Sequence, residues 1–281
     1  MLQYKNIYIA LIFLVMISGH CAVAQSVGTY LGNERFMFAE TKQVNQFFRR
    51  FNSEEDLAGK RIDATSKEYQ NPEFRRKYIA MLFDNETGKV EKALKDEFIQ
   101  EVTVPGSQKL LNFYENEWFA EVKASFYYKG KLETVILFLS LEQENLGHKW
   151  VITNVHFKPF ADLFYTETTS SGSKFMHPMS HEIDFMNLIK VFKDGKNLEY
   201  YFDNNFKPDF RTIFLYEVKK GDLIFDSVED VSFHFFQVDN WYFELTEFNR
   251  NTPNSGWLVS NLTKIPENQK ELLLKYIYYE K

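Results

Sequence analysis

A constant offset of 107 residues carries one stretch of this chain onto another. Ala124-Ser125-Phe126-Tyr127-Tyr128 falls on Val231-Ser232-Phe233-His234-Phe235, and Trp150-Val151-Ile152-Thr153-Asn154-Val155 falls on Trp257-Leu258-Val259-Ser260-Asn261-Leu262. Upstream of each strand block sits an amphipathic segment with one shared spacing: Val44, Phe47, Phe48 and Phe51 in the first half, Phe185, Leu188, Ile189 and Phe192 in the second. The i, i+3, i+4, i+7 pattern marks one face of a helix. A repeat this long is a domain rather than a solenoid module, so the pattern implies two related domains in tandem. The helical segments lie 141 residues apart rather than 107, which gives the first domain 34 additional residues between helix and strands.

The N-terminus reads as an export signal over residues 1–24. Lys5 supplies the positive flank, residues 7–17 the apolar core, and Ala22-Val23-Ala24 a small-residue cleavage site before Gln25. That core is too short to span a bilayer. An uncleaved anchor and a lipid-modified Cys21 are the alternatives; the second is opposed by His20, which stands where a small residue is needed. Cys21 is the only cysteine, so cleavage removes disulfides, cysteine-ligated zinc and cysteine nucleophiles together. Stability must then come from packing, for which 29 Phe and 16 Tyr supply the area. The formal charge of −6, one unit more negative once Lys5 is removed, is spread without long runs and argues against nucleic-acid binding. With no apolar stretch of spanning length after the signal, the expected product is soluble and exported, periplasmic or extracellular.

After a leading stretch from Gln25, the first domain (25–162) should open with the helix at 44–51, whose polar face carries Gln43, Arg49 and Arg50. Helices are expected next at 72–83 and 90–101. Ala120, Val122, Ala124, Phe126 and Tyr128 then alternate with polar residues as in a half-buried strand, and Gly130-Lys131 reads as a turn. The next strand is apolar on both faces and therefore wants cover on both. Its counterpart after Trp241 is not, so Val135, Leu137, Leu139 and Leu141 are expected to meet the neighbouring domain or another chain, and Trp241 and Tyr242 to lie at the surface. The small polar run 166–173 marks a flexible linker (163–177). The second domain (178–281) begins with Ser180 as an N-cap and closes with a helix from Pro266-Glu267 to about Tyr279, which has no partner in the first repeat.

Helices first, then three long antiparallel strands with the last entered through Trp150 or Trp257, resemble the nuclear transport factor 2-like (SnoaL/cystatin-like) superfamily over residues 44–157 and 185–265. The resemblance implies an α+β fold in which a curved antiparallel sheet wraps around helices and leaves a conical pocket. It also implies frequent dimerisation through the sheet. Such pockets serve isomerases, dehydratases, ligand binders and purely structural domains, so the fold selects no chemistry by itself.

Neither a strand carboxylate facing a Tyr donor nor a His beside an Asp can be aligned as those enzymes require. The nearest approach is Asp230, Ser232 and His234, which the pleat places on one face; an exposed polar stripe looks identical. His177 and His181 are separated by Pro178 and Ser180 and lack the further His a zinc site needs, so no metal or other cofactor is expected. Trp150 with Asn154, and Trp257 with Asn261, read as pairs on one strand face. Each could line a pocket with an amide to orient a ligand, or anchor a core and end a strand. No Gly-x-Ser-x-Gly and no phosphate-binding Gly-rich loop is present. These absences favour non-covalent binding of a protein partner, a second copy or an apolar small molecule. An isomerase, dehydratase or hydrolase working in one pocket, and a structural module of a cell-envelope assembly, are the alternatives.

Overall fold

The computed structural model describes residue 41 and residues 43–164, 192, 198–203 and 205–280. The expected export signal, most of the linker, the helix around Phe185, Leu188 and Ile189, and His177 and His181 lie outside the described residues. All six strands belong to one compact unit, Ala39–Lys281. Among the described residues no helix is long and apolar enough to cross a membrane.

Among the described residues three helices come first. In α1 (Val44–Phe51) the periodic Phe47, Phe48 and Phe51 are buried. Arg49 and Arg50 occupy its last turn, where the helix dipole favours cations. Arg50 does not sit on a solvated face: it is 2% exposed, its Nη1 donates to Thr41 Oγ1 at 3.0 Å, and Glu55 meets its Nε at 3.4 Å. Burial, partly offset by Glu55, lowers its pKa. Helix α2 (Pro72–Met81) starts with Pro at the first turn and the Asn71 side chain accepting from Glu73 N–H. It stops short of Phe83 because the chain there runs beside Val259 in a parallel bridge. Helix α3 (Lys92–Val102) buries Phe98, Ile99 and Val102. Arg75 of α2 ties this layer together. It is fully buried, and it donates to the carbonyls of Phe51, Val102 and Lys109 and to Gln108 Oε1.

The strands are β1 (Trp118–Tyr128), β2 (Lys131–Glu144), β3 (Gly147–His156), β4 (Leu223–Phe235), β5 (Trp241–Phe248) and β6 (Gly256–Lys264). They form one curved antiparallel sheet in the order β3-β2-β1-β4-β5-β6. Each set of three consecutive strands is a meander, and β1 and β4 join the two. Across that joint Lys123 pairs directly with Asp230. These two positions are themselves related by the offset of 107, so an approximate two-fold axis passes between them. The β1–β2 turn places Lys129 and Gly130 at φ 51° and 80°, the twist that a two-residue hairpin requires.

Helices α1–α3 cover one face of the sheet through a core that includes Phe47, Phe51, Phe98, Trp118, Phe235, Trp241 and Phe243. At the other end of this face, α4 (Lys158–Leu163) and α5 (Phe210–Lys220) cover Ala124, Phe126, Val135 and Leu223. The expected linker therefore starts inside a helix, at Leu163. The opposite face carries a third core of Phe119, Phe138, Phe236 and Tyr242, closed by α6 (Glu267–Ile277) and Tyr278. Both apolar faces of β2 are thus covered from within the chain. Val135 is fully buried and Leu137, Leu139 and Leu141 are half-buried on the side of α1–α5; of the two expected sources of cover, the second half of the chain supplies Phe210, Ile213 and Phe214 beside Val135 and Leu137, and α6 beside Ile136 and Phe138. Trp241 and Tyr242, expected at the surface, are buried on opposite faces of β5.

Candidate functional site

The sheet face under α6 holds a cavity of about 1040 Å³. Its floor comes from four neighbouring strands: Glu121 of β1, His234 of β4, Tyr242 and Glu244 of β5, and Asn261 and Thr263 of β6. Its wall is mostly apolar, with Ile265 and the α6 residues Leu272, Leu273 and Ile277, and carries Gln269, Lys275 and Glu280 among them. Helix α6 turns Leu273, Leu274 and Ile277 to the third core, while Leu272 and Tyr276 stay exposed at the cavity mouth.

A buried polar chain runs across the floor. His234 Nδ1 lies 2.8 Å from Tyr242 Oη, and His234 Nε2 lies 3.1 Å from Glu121 Oε2. All three residues are buried. Burial, reinforced by the charges of Glu244 and Glu121, raises the Tyr242 pKa far above its ordinary value, so the hydroxyl keeps its proton. In the tautomer where Tyr242 donates to Nδ1, the imidazole proton sits on Nε2 and is donated to Glu121. That assignment gives every proton an acceptor. The Phe119 ring stacks on the imidazole at 4.9 Å. Ser232 Oγ approaches Nε2 at 3.5 Å.

At the rim Tyr279 stacks on His156 at 4.2 Å. Burial lowers the His156 pKa, and burial, reinforced by the Glu121 charge, raises that of Tyr279. Burial, then Glu280, pushes Tyr278 up to about 12.

The sequence-predicted residues divide between the two faces. Asp230, Ser232 and His234 do share a face, yet only Asp230 is exposed, and it pairs with Lys123 at 3.3 Å rather than with the imidazole. Glu121, 113 positions away in sequence, is the carboxylate that reaches His234. The Trp/Asn pairs do not stay on one side. β3 meets β2 with a register shift in which Phe138 faces Asn154 and Leu139 faces Ile152, so Thr153 is the extra residue of a bulge. β6 repeats the defect: Glu244 faces Asn261 and Leu245 faces Val259, leaving Ser260 extra. A bulge shifts the alternation by one residue and turns the rest of the strand to the other face. Trp150 and Trp257 consequently pack on Phe233 in the α1–α3 core. Asn261 lines the cavity, and Asn154 Nδ2 reaches Glu280 at its rim, 3.5 Å away.

Glu121, Tyr242 and Glu244 are site residues that the sequence patterns do not single out. The signal that could have found them is the final helix, whose Leu273, Leu274 and Ile277 form an apolar stripe that needs an apolar face to meet. Among the described residues no group of three or more His, Cys, Asp or Glu side chains is arranged to hold a metal ion. No protein-family model matches the chain, and neither a curated protein nor a solved structure matches it significantly.

Proposed function

We propose that this chain is an exported, non-enzymatic binding protein built from two tandem nuclear transport factor 2-like units. Its ligand site is the cavity between the sheet and α6. The observation that carries this reading is a large, mostly apolar-walled cavity whose floor presents several polar groups, the usual make-up of a small-molecule site. The hydrogen bonds of His234 favour binding over turnover. A general base must offer a lone pair to the substrate, whereas Nδ1 is occupied by Tyr242 and Nε2 by Glu121. Tyr242 in turn spends its proton on the imidazole and is no free acid.

The test is titration of the exported protein with the neutral apolar dye Nile red, alongside Thr263→Trp, which fills the cavity from an exposed floor position. One saturable site in the wild type, lost in the variant at unchanged melting temperature, is the expected outcome. Equal binding by both proteins, or no saturable site in the wild type, removes the reading. Recovery from the native host of a stoichiometric protein partner and no dye site would transfer it to protein binding.

A further inference from the structure

We propose that the cavity selects an organic ammonium, a protonated amine carried on an apolar body. The inference rests on the cavity being a binding site and adds the charge of its ligand. Glu244 stands between His234 and Asn261 in the strand register and looks into the cavity. Among the described residues its carboxylate makes no hydrogen bond or ion pair, and neither do the side chains of Asn261 and Thr263 beside it. A half-buried carboxylate against a mostly apolar wall loses hydration and gains nothing until a donor arrives.

Among the described residues the nearby cations do not fill that role. Lys123 is held by Asp230 at 3.3 Å and Glu121 at 3.9 Å, and Lys275, the one cation among the described lining residues, pairs with Glu271 at 2.7 Å. The lining carboxylates Glu121, Glu244 and Glu280 therefore outnumber it. Tyr242, Tyr276 and Tyr279 line the same cavity, and aromatic rings are compatible with a cation. Without a metal-holding cluster among the described residues, the cation that fits is organic: its ammonium donates to Glu244 and Asn261, and its apolar body lies along Ile265, Leu272 and Leu273.

The experiment is competition of decylamine, decanol and decanoate against Nile red at neutral pH on the exported protein, repeated with Glu244→Gln. Decylamine should bind about tenfold more tightly than decanol, the worth of a charge-assisted hydrogen bond, with decanoate weakest. Glu244→Gln should bring decylamine to the level of decanol and leave decanol unchanged. Equal affinities in the wild type, or tighter decanoate, overturn the charge selection while leaving the cavity as a binding site. A uniform loss of all three in Glu244→Gln assigns the effect to packing and overturns the role of Glu244. No competition by any of them, together with no saturable dye site, overturns the binding reading itself.

Discussion

Tyr242 is the residue on which the buried polar chain depends. Tyr242→Phe keeps the ring and removes the donor to His234 Nδ1, leaving a buried acceptor unsatisfied at a cost of about 1–3 kcal/mol in urea unfolding. The variant should also change the alkaline limb of stability. The folded-state pKa of Tyr242 is raised, so above about pH 10, the ordinary tyrosine value, the unfolded chain releases this proton while the folded chain retains it. Stability is complete below that pH and falls as pH rises past it. Tyr278, raised to about 12, acts in the same direction. Wild-type stability should therefore fall more steeply between pH 10 and 11 than that of Tyr242→Phe, and parallel curves would refute the assignment. Sequence could identify Tyr242 as lying opposite Trp241 and Phe243 but not that its face is covered, because alternation tells faces apart without saying what packs on each. Arg50 departs from its expected polar face for a related reason: its place on the helix was legible, while the return of Thr41 and Glu55 to meet it was not.

Helices and strands were the most legible level, since each obeys a period. The 3.6-residue pattern of α1 and the alternation of β1 and β5 place the elements close to where they fold. The bulges at Thr153 and Ser260 left no trace, because a bulge changes the count of facing residues without demanding a particular side chain. Their recurrence at the offset of 107 became visible only through the strand register. Glycine at the start of β6 has a more direct cause. Gly256 adopts φ 83° and runs beside Thr41 in a parallel bridge, and a Cβ there would strike the Thr41 backbone. Gly256→Ala combines that clash with left-handed strain and should cost about 1–3 kcal/mol. Denaturant unfolding should show a lowered midpoint at unchanged slope; an unchanged midpoint would mean the Thr41 bridge yields freely.

At the scale of the molecule the sheet separates two environments. Trp118, Trp150, Trp241 and Trp257, all four tryptophans of the chain, lie on or against the α1–α3 core. Among the described residues the opposite face depends on α6 alone for its helical cover. Ile277→Asp places a charge where Ile277 meets the third core and should undock α6, abolish dye binding and lower the melting temperature by roughly 5–15 °C. The tryptophan emission maximum should not move, and a red shift at the same temperature would show that the two faces melt as one. The pairing of Lys123 with Asp230 bears on the chain's symmetry. A residue meets its own counterpart across a two-fold axis in an isologous contact, the geometry of a homodimer, and the order β3-β2-β1-β4-β5-β6 places the two meanders of this chain in a similar arrangement within one sheet. In a homodimer every substitution appears twice, on both sides of the axis. A single chain is free of that constraint, and its two halves differ: α4 comes after β3 as α6 comes after β6, yet the two pack on opposite faces. One half's trailing helix thickens the core while the other's encloses the cavity, a division of labour that strict symmetry forbids.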